Sequence, residues 1–139
     1  MAFVRRLPVR FADVDYARVV YYPRFFDFTH QVFEDFFEAE VKVSYRALLQ
    51  DRGIGFPTVH AEADFRAPLR FGDVARIELA TTKVGGRSLT CRYQFFKGDE
   101  APLCAQLTVV TAAIDMKQFS PTDLPSDVAQ AFARHQVQA

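Results

Sequence analysis

Hydrophobic and polar residues follow two different periods along the chain. From Pro23 to Glu38 the apolar residues recur at the 3.6-residue spacing of an amphipathic helix. The apolar stripe of this segment consists of Phe25, Phe28, Val32, Phe33, Phe36 and Phe37. A short helix is predicted from Ser44 to Asp51, with Ser44 as its N-terminal cap and Gly53 as its stop.

After Gly55 the period becomes 2, which is typical of half-buried strands. Strands are predicted over 59–66, 74–84, 88–96 and 102–116, and a further one over Phe3 to Phe11 at the start of the chain. Gly85-Gly86 has the composition of a tight hairpin turn. Ala12 to Tyr22 shows no period and is predicted to be a loop. A final helix is predicted from Thr122 or Ser126 to His135.

This order of elements predicts an α+β fold over residues 1–139. A five-stranded antiparallel sheet wrapped around the one long helix would bury the Phe stripe. Such a sheet leaves one edge and one face without cover. Uncovered edges and faces favour an oligomer.

Composition and charge exclude several functional classes. The chain has 139 residues, half of them hydrophobic, and 17 basic residues balance 17 acidic ones. A net charge of zero argues against sequence-independent binding of nucleic acid. No segment approaches the ~20 apolar residues of a membrane helix, and Met1 to Arg10 lacks the apolar core of a secretory signal. We therefore expect a cytoplasmic protein without membrane insertion, with Cys91 and Cys104 reduced and buried.

Two acids precede the long helix. Asp13 and Asp15 lie in the loop that leads to Pro23, and Pro is favoured in a first helical turn. The free N–H groups and the dipole of a helix start attract negative charge. A carboxylate there can act as nucleophile or base, and the N–H groups can stabilise an oxyanion, a combination suited to acyl transfer. The alternative is that both acids are ordinary turn or capping residues.

Four motifs resemble those of one family. Asp13-Val-Asp15 followed by Val19-Val20-Tyr21-Tyr22-Pro23 resembles the opening motif of the 4-hydroxybenzoyl-CoA thioesterase family of hotdog-fold proteins, which includes the Tol–Pal-associated acyl-CoA thioesterases. The segment from Asp64 to Asp73 resembles the family's strand-turn segment. Further similarities are Gly86-Arg87-Ser88 and the stretch from Asp115-Met-Lys117 to Pro125. Together they span nearly the whole chain.

The resemblance implies that the protein hydrolyses an acyl-CoA thioester to the free acid and CoA. It places the catalytic carboxylate on Asp15 and the oxyanion donor on the backbone N–H of Tyr22. It leaves open whether the carboxylate attacks the carbonyl or activates water. It implies no metal or redox cofactor, and it implies a homodimer or homotetramer.

Several residues are candidates for binding the substrate. Arg87 and Ser88 fall where the family contacts the CoA nucleotide, and Arg can bind phosphate through paired donors. Arg18 stands where relatives commonly have Gly, and His30 where they often have an acid. We expect either that His30 faces the pocket or that it pairs with Glu34 on the helix surface. The remaining candidates are Pro23, His60, Arg66, Arg70 and Lys117.

Two other functions are alternatives to hydrolysis. One is a non-catalytic protein that binds acyl-CoA or an acyl carrier, which the presence of Arg18 in place of Gly favours. The other is a hotdog dehydratase, which the positions of His30 and His60 disfavour. The acyl group is expected to be aromatic or a short to medium aliphatic chain.

Overall fold

The computed structural model describes all residues, 1–139. Its elements in chain order are β1 (Phe3–Pro8), α1 (Arg24–Phe36), α2 (Tyr45–Gln50), β2 (Ile54–Gly55), β3 (Thr58–Phe65), β4 (Val74–Val84), β5 (Ser88–Lys97), β6 (Leu103–Ala112), β7 (Ile114–Asp115), β8 (Ser120–Pro121) and α3 (Ser126–Ala133). A 3₁₀ turn (Phe11–Asp13) precedes α1, and a π-helical turn (Phe37–Val41) continues it.

The long strands form one antiparallel sheet of five, in the order β1-β4-β5-β6-β3. All five of these strands were predicted from the period of the sequence. The prediction that β1 extends to Phe11 is wrong, because the strand ends at Pro8 and Phe11 begins the 3₁₀ turn. A second sheet of three short strands, β2-β7-β8, was not predicted.

The predicted strand 102–116 is divided in two. Ala113 is fully buried, and its N–H donates to the carbonyl of Arg87 over 2.8 Å. There the chain leaves the large sheet, and Ile114–Asp115 pairs with β2 and β8 instead. Periodicity alone missed this switch, because a strand that changes sheets keeps its period of 2.

The Phe stripe of α1 packs against the sheet and α3. The ring centroids of Phe25 and Phe95 in β5 are 5.0 Å apart, and those of Phe36 and Phe3 in β1 are 5.2 Å apart. Phe36 also stacks on Phe132 of α3 at 4.1 Å. The helix was predicted to end at Glu38. It runs on through the π-helical turn and stops at Lys42, which adopts a φ of 68°.

A buried histidine near the C-terminus connects the two ends of the chain. His135 is 7% exposed, and its ring nitrogens lie 2.9 Å from the Met1 carbonyl and 2.6 Å from Glu40 Oε1. These contacts hold both ends of the chain against the end of the central helix.

At the second helix, the hydroxyl of Ser44 accepts a hydrogen bond from the Ala47 N–H over 3.1 Å, as predicted for its cap.

Strand β3 forms an open edge of the large sheet. Each of its residues except Ala63 is exposed to solvent, although its sequence includes the apolar residues Val59 and Phe65. An edge strand with free backbone groups and apolar side chains is suited to pairing with another strand. No helix of the structure has the length and apolarity needed to span a membrane.

Candidate active site

The loop before α1 holds the Asp15 carboxylate in a defined turn. Val14 and Val20 form an isolated antiparallel bridge, and the Asp15 N–H donates to the Val19 carbonyl over 3.1 Å. Asp15 Oδ1 accepts a hydrogen bond from the Ala17 N–H over 2.8 Å. Oδ2 has no hydrogen-bond partner within the chain. One oxygen therefore fixes the side chain, while the other is available to an external group.

Asp13, the other acid of the pair, has a structural role in the same loop. Its Oδ2 accepts the Arg10 N–H over 2.8 Å, and its carbonyl accepts the Tyr21 N–H over 2.8 Å. These bonds hold the 3₁₀ turn against the start of α1. The capping alternative considered for both acids thus fits Asp13 closely. Asp15 differs from Asp13 in its surroundings, because Asp15 is exposed and lines a surface groove, whereas Asp13 is half-buried and lines none.

Arg18 adopts a backbone conformation that favours glycine. Its φ is 69°, in the left-handed region, and its N–H donates to the Asp15 carbonyl over 2.9 Å. The turn demands this conformation whichever residue occupies position 18. The Arg18 side chain is exposed, makes no ion pair and lines a groove with Asp15 and the exposed rings of Phe11 and Phe71.

The start of α1 presents an unused hydrogen-bond donor. The Tyr22 N–H donates to no acceptor within the chain, while the N–H groups of Phe25 and Phe26 donate to the carbonyls of Tyr22 and Pro23. Pro23 has a φ of −64° and occupies the cap position of the helix. Because the first N–H groups of a helix have no internal acceptors, they can bind an oxyanion.

A second, largely apolar groove lies beside Tyr22. Phe25 and the end of β3, including Phe65, form its walls, and Arg66 lies at its side. Arg66 is exposed and makes no ion pair. The structure therefore gathers six of the predicted residues at one end of the large sheet: Asp15, Arg18, Tyr22, Pro23, Arg66 and Arg70.

Arg87 and Ser88 lie at the other end of that sheet. The Asp15 loop is attached near the start of β4, where the Val20 N–H donates to the Leu69 carbonyl, whereas Arg87 follows the end of β4. Eleven residues of strand separate them, which corresponds to about 30 Å along the sheet. Arg87 Nε also lies 3.0 Å from Asp123 Oδ1 in an exposed ion pair. Within one chain, Arg87 and Asp15 are not brought together.

The other candidates have local partners. His30 Nε2 lies 3.5 Å from Glu34 Oε2, and the His30 ring also lines a cleft between α1 and the sheet. The pairing with Glu34 is therefore present, and the ring also borders this cleft. His60 is exposed on β3, 3.7 Å from Glu62 Oε2. The Lys117 N–H donates to Asp115 Oδ1 in the turn between β7 and β8.

Neither cysteine is suited to nucleophilic chemistry. Burial raises the pKa of the Cys91 thiol to about 12 and also raises the pKa of Cys104, chiefly by desolvation. Both are free thiols. At neutral pH such groups hold almost no thiolate, which is the reactive form.

Sequence reasoning missed several residues that the structure places in these cavities. Phe71 and the cleft residues Thr58, Tyr93 and Thr111 come from segments far apart in sequence. One signal for Thr111 was available. Thr111 follows Leu107 and Val109 at every second position of β6, on the inward-facing side, where a polar residue is unusual.

Comparison with known proteins gives a consistent result. The profile of a family described as "Thioesterase-like superfamily" matches residues 9–132. A 1,4-dihydroxy-2-naphthoyl-CoA hydrolase of Nostoc punctiforme is 28% identical over 130 residues, which cover 94% of this chain and 86% of that protein. The corresponding hydrolase of Synechococcus elongatus is 31% identical over 114 residues, with 81% and 83% covered.

Solved structures agree in fold. The structure of a 1,4-dihydroxy-2-naphthoyl-CoA thioesterase from Synechocystis superposes with a TM-score of 0.87 at 26% identity, and 96% of each chain is covered. A gentisyl-coenzyme A thioesterase superposes with a TM-score of 0.81 at 27% identity, covering 91% of this chain and 98% of the other.

Proposed function

Because the chain belongs to the thioesterase-like superfamily of hotdog proteins, we propose that it is an acyl-CoA thioesterase that hydrolyses an aromatic acyl-CoA to the free acid and CoA. The observation that carries this proposal is the pair formed by Asp15 and Tyr22. One carboxylate oxygen and one helix-start N–H, both without partners in the chain, flank the Val14–Val20 bridge. The names of the relatives support an aromatic acyl group.

In this mechanism the Tyr22 N–H binds the carbonyl oxygen of the thioester. Negative charge that develops on that oxygen is stabilised by the N–H and by the helix dipole. Asp15 Oδ2 then acts in one of two ways. It attacks the carbonyl carbon, expels CoA as the thiolate and leaves an anhydride that water cleaves, or it removes a proton from water as that water attacks.

The sheet is proposed to wrap around α1 in the hotdog arrangement. Phe25 and Phe28 approach Phe95 in the central strand, with ring centroids at 5.0 and 6.4 Å. Phe36 approaches Phe3 in the edge strand β1. Contacts of one helix with both a central and an edge strand support a curved sheet.

A homodimer is proposed to complete the site, with a homotetramer as its further assembly. The exposed edge strand β3 is suited to antiparallel pairing with its copy. In one chain Arg87 lies too far along the sheet from Asp15 to share a ligand with it. Binding of CoA phosphates by Arg87 and Ser88 therefore requires the second chain. Arg18, Arg66 and Lys117 are proposed as further contacts with CoA, and Pro23, His30 and His60 as contacts with the acyl part.

A substrate screen tests the activity. Purified protein is incubated with benzoyl-, dihydroxynaphthoyl-, acetyl- and palmitoyl-CoA, and release of the CoA thiol is followed with a chromogenic thiol reagent. We expect turnover of the aromatic thioesters and much less of the long aliphatic one. Tight binding of all four without release of thiol would instead favour the non-catalytic acyl-CoA binding protein. Dimer formation is measured by light scattering coupled to size-exclusion chromatography.

A further inference from the structure

A cleft lies between α1 and the sheet, two turns along the helix from Tyr22. Its cavity volume is about 90 Å³, and seven of its eleven lining residues are hydrophobic. Phe26 and His30 line it from the helix, Tyr93 and Thr111 from the sheet, and Ala61 from β3. A predominantly apolar cleft with a few polar groups has the character of a small-molecule pocket.

The cleft and the groove at the start of α1 are separate cavities that lie along the same two elements, α1 and β3. Phe25 lines the groove beside Tyr22, and its neighbour Phe26 lines the cleft. On β3, Phe65 lines the groove and Ala61 the cleft. The eight residues from Tyr22 to His30 correspond to about 12 Å along a helix. A ligand whose carbonyl is held at Tyr22 would reach the cleft by extending along α1 and β3.

One polar atom in the cleft has no partner in the protein. Thr111 is 6% exposed, and its Oγ1 is buried without a hydrogen bond. Its register partners are Thr58 of β3 and Leu89 of β5. A buried hydroxyl without a partner destabilises a protein, so such a group in a native structure requires an explanation. A hydroxyl can both donate and accept, so it suits a substituent of either kind.

We propose that Thr111 is a specificity-determining residue whose hydroxyl binds a polar substituent at the far end of the acyl group. The inference rests on the proposed thioesterase function and adds a residue to it. The cleft would accept a planar acyl group whose ring carries a hydroxyl. His30 faces the same cleft from the helix side. The hydroxyl of Tyr93 remains protonated there, because burial raises its pKa well above the usual value.

Substitution of Thr111 by valine tests this assignment. Val replaces the hydroxyl with a methyl group and preserves the branched shape. The quantity measured is the ratio of kcat/KM for 3- and 4-hydroxybenzoyl-CoA to that for benzoyl-CoA. In the wild type we expect a preference for at least one hydroxylated ester. In Thr111→Val we expect this preference to fall about 10-fold, which corresponds to about 1.4 kcal/mol. Thr111→Ser retains a hydroxyl and should restore the preference.

Two further measurements separate recognition from structure. The side chain of Thr108, three residues earlier on the same strand, lies on the opposite face of the sheet and does not line the cleft. Thr108→Val is therefore the matched control and should leave the ratio of kcat/KM values unchanged. The melting temperature of Thr111→Val should equal or exceed that of the wild type, because removal of an unpaired buried hydroxyl is neutral or stabilising. A lower melting temperature with equal losses on all esters would identify a merely structural residue and overturn the proposal.

Binding measurements keep the test independent of catalysis. If no thioester is hydrolysed, the same ratio is taken from the Kd values of the intact esters by calorimetry. Sensitivity of that ratio to Thr111→Val would support the assignment while the proposed hydrolase function fails. Hydrolysis with an identical ratio in the wild type and in Thr111→Val would overturn the assignment and leave the thioesterase function intact.

Discussion

Replacement of Asp15 by Asn separates the chemistry of the carboxylate from its structural role. The Asn side chain presents the same Oδ1 to the Ala17 N–H, which donates over 2.8 Å, so the turn should persist. Asp15 is exposed, and surface substitutions of this kind change the free energy of unfolding by less than about 0.5 kcal/mol. Asn has no negative charge, however, and is a poor base and nucleophile.

The expected loss of activity is much larger than the loss of stability. Positioned acid–base groups contribute about 10²- to 10⁴-fold to a rate, and each factor of ten is about 1.36 kcal/mol of activation free energy. Asp15→Asn should therefore raise the barrier by about 3–5 kcal/mol. The assay compares kcat/KM from release of CoA thiol with the free energy of unfolding from urea titration of the same preparations.

Asp13→Asn is the matched control. It removes an equal charge two residues away, and its side chain can still accept the Arg10 N–H. We expect its kcat/KM to stay within a factor of about 3 of the wild type. Full activity in Asp15→Asn, or equal losses in the two variants, would refute the role assigned to Asp15.

Three further predictions concern stability and reactivity. Arg18→Gly should leave the free energy of unfolding within about 1 kcal/mol of the wild type, because glycine adopts a φ of 69° without strain. Arg18→Val should lower it by about 1–2 kcal/mol, because β-branched side chains tolerate this φ least. Urea titration of both variants tests this prediction. Hydrogen bonds from Arg52 over 2.7 and 3.0 Å lower the pKa of Asp127, so the stability from this pair is present above about pH 4 and is lost as the pH falls through the folded-state pKa. The melting temperature of the wild type should exceed that of Arg52→Gln at neutral pH, but only by a small amount, because the ion pair is partly exposed. The two melting temperatures should converge in acid. A difference that stays constant with pH would contradict this prediction. A thiol reagent should label Cys91 and Cys104 only after unfolding, because both are buried and have raised pKa values, and rapid labelling of the native protein would show that these side chains are accessible.

The periods of the sequence were sufficient for the main elements of the fold. The stripe from Phe25 to Phe37 predicted the central helix, and alternation predicted the long strands, because both signals are local. The small sheet was not predicted, because two-residue strands such as β2 have no measurable period. The π-helical continuation to Val41 was missed for a different reason. Packing of Phe37 against Tyr45, Phe56 and Phe132 stabilises it, and two of these residues, Phe56 and Phe132, are distant in sequence.

The sequence by itself determined the local chemistry of the Asp15 loop. The two acids, the residues up to Pro23 and the helix that follows are contiguous, so their spacing alone placed a carboxylate near a helix start. Only the tertiary structure distinguished the two acids, because the folded turn exposes Asp15 in a groove and half-buries Asp13. Only the tertiary structure separated Arg87 from Asp15, by the length of β4, and brought Thr111 opposite His30. These relations depend on strand pairing between distant segments, which a local pattern of polar and apolar residues does not encode.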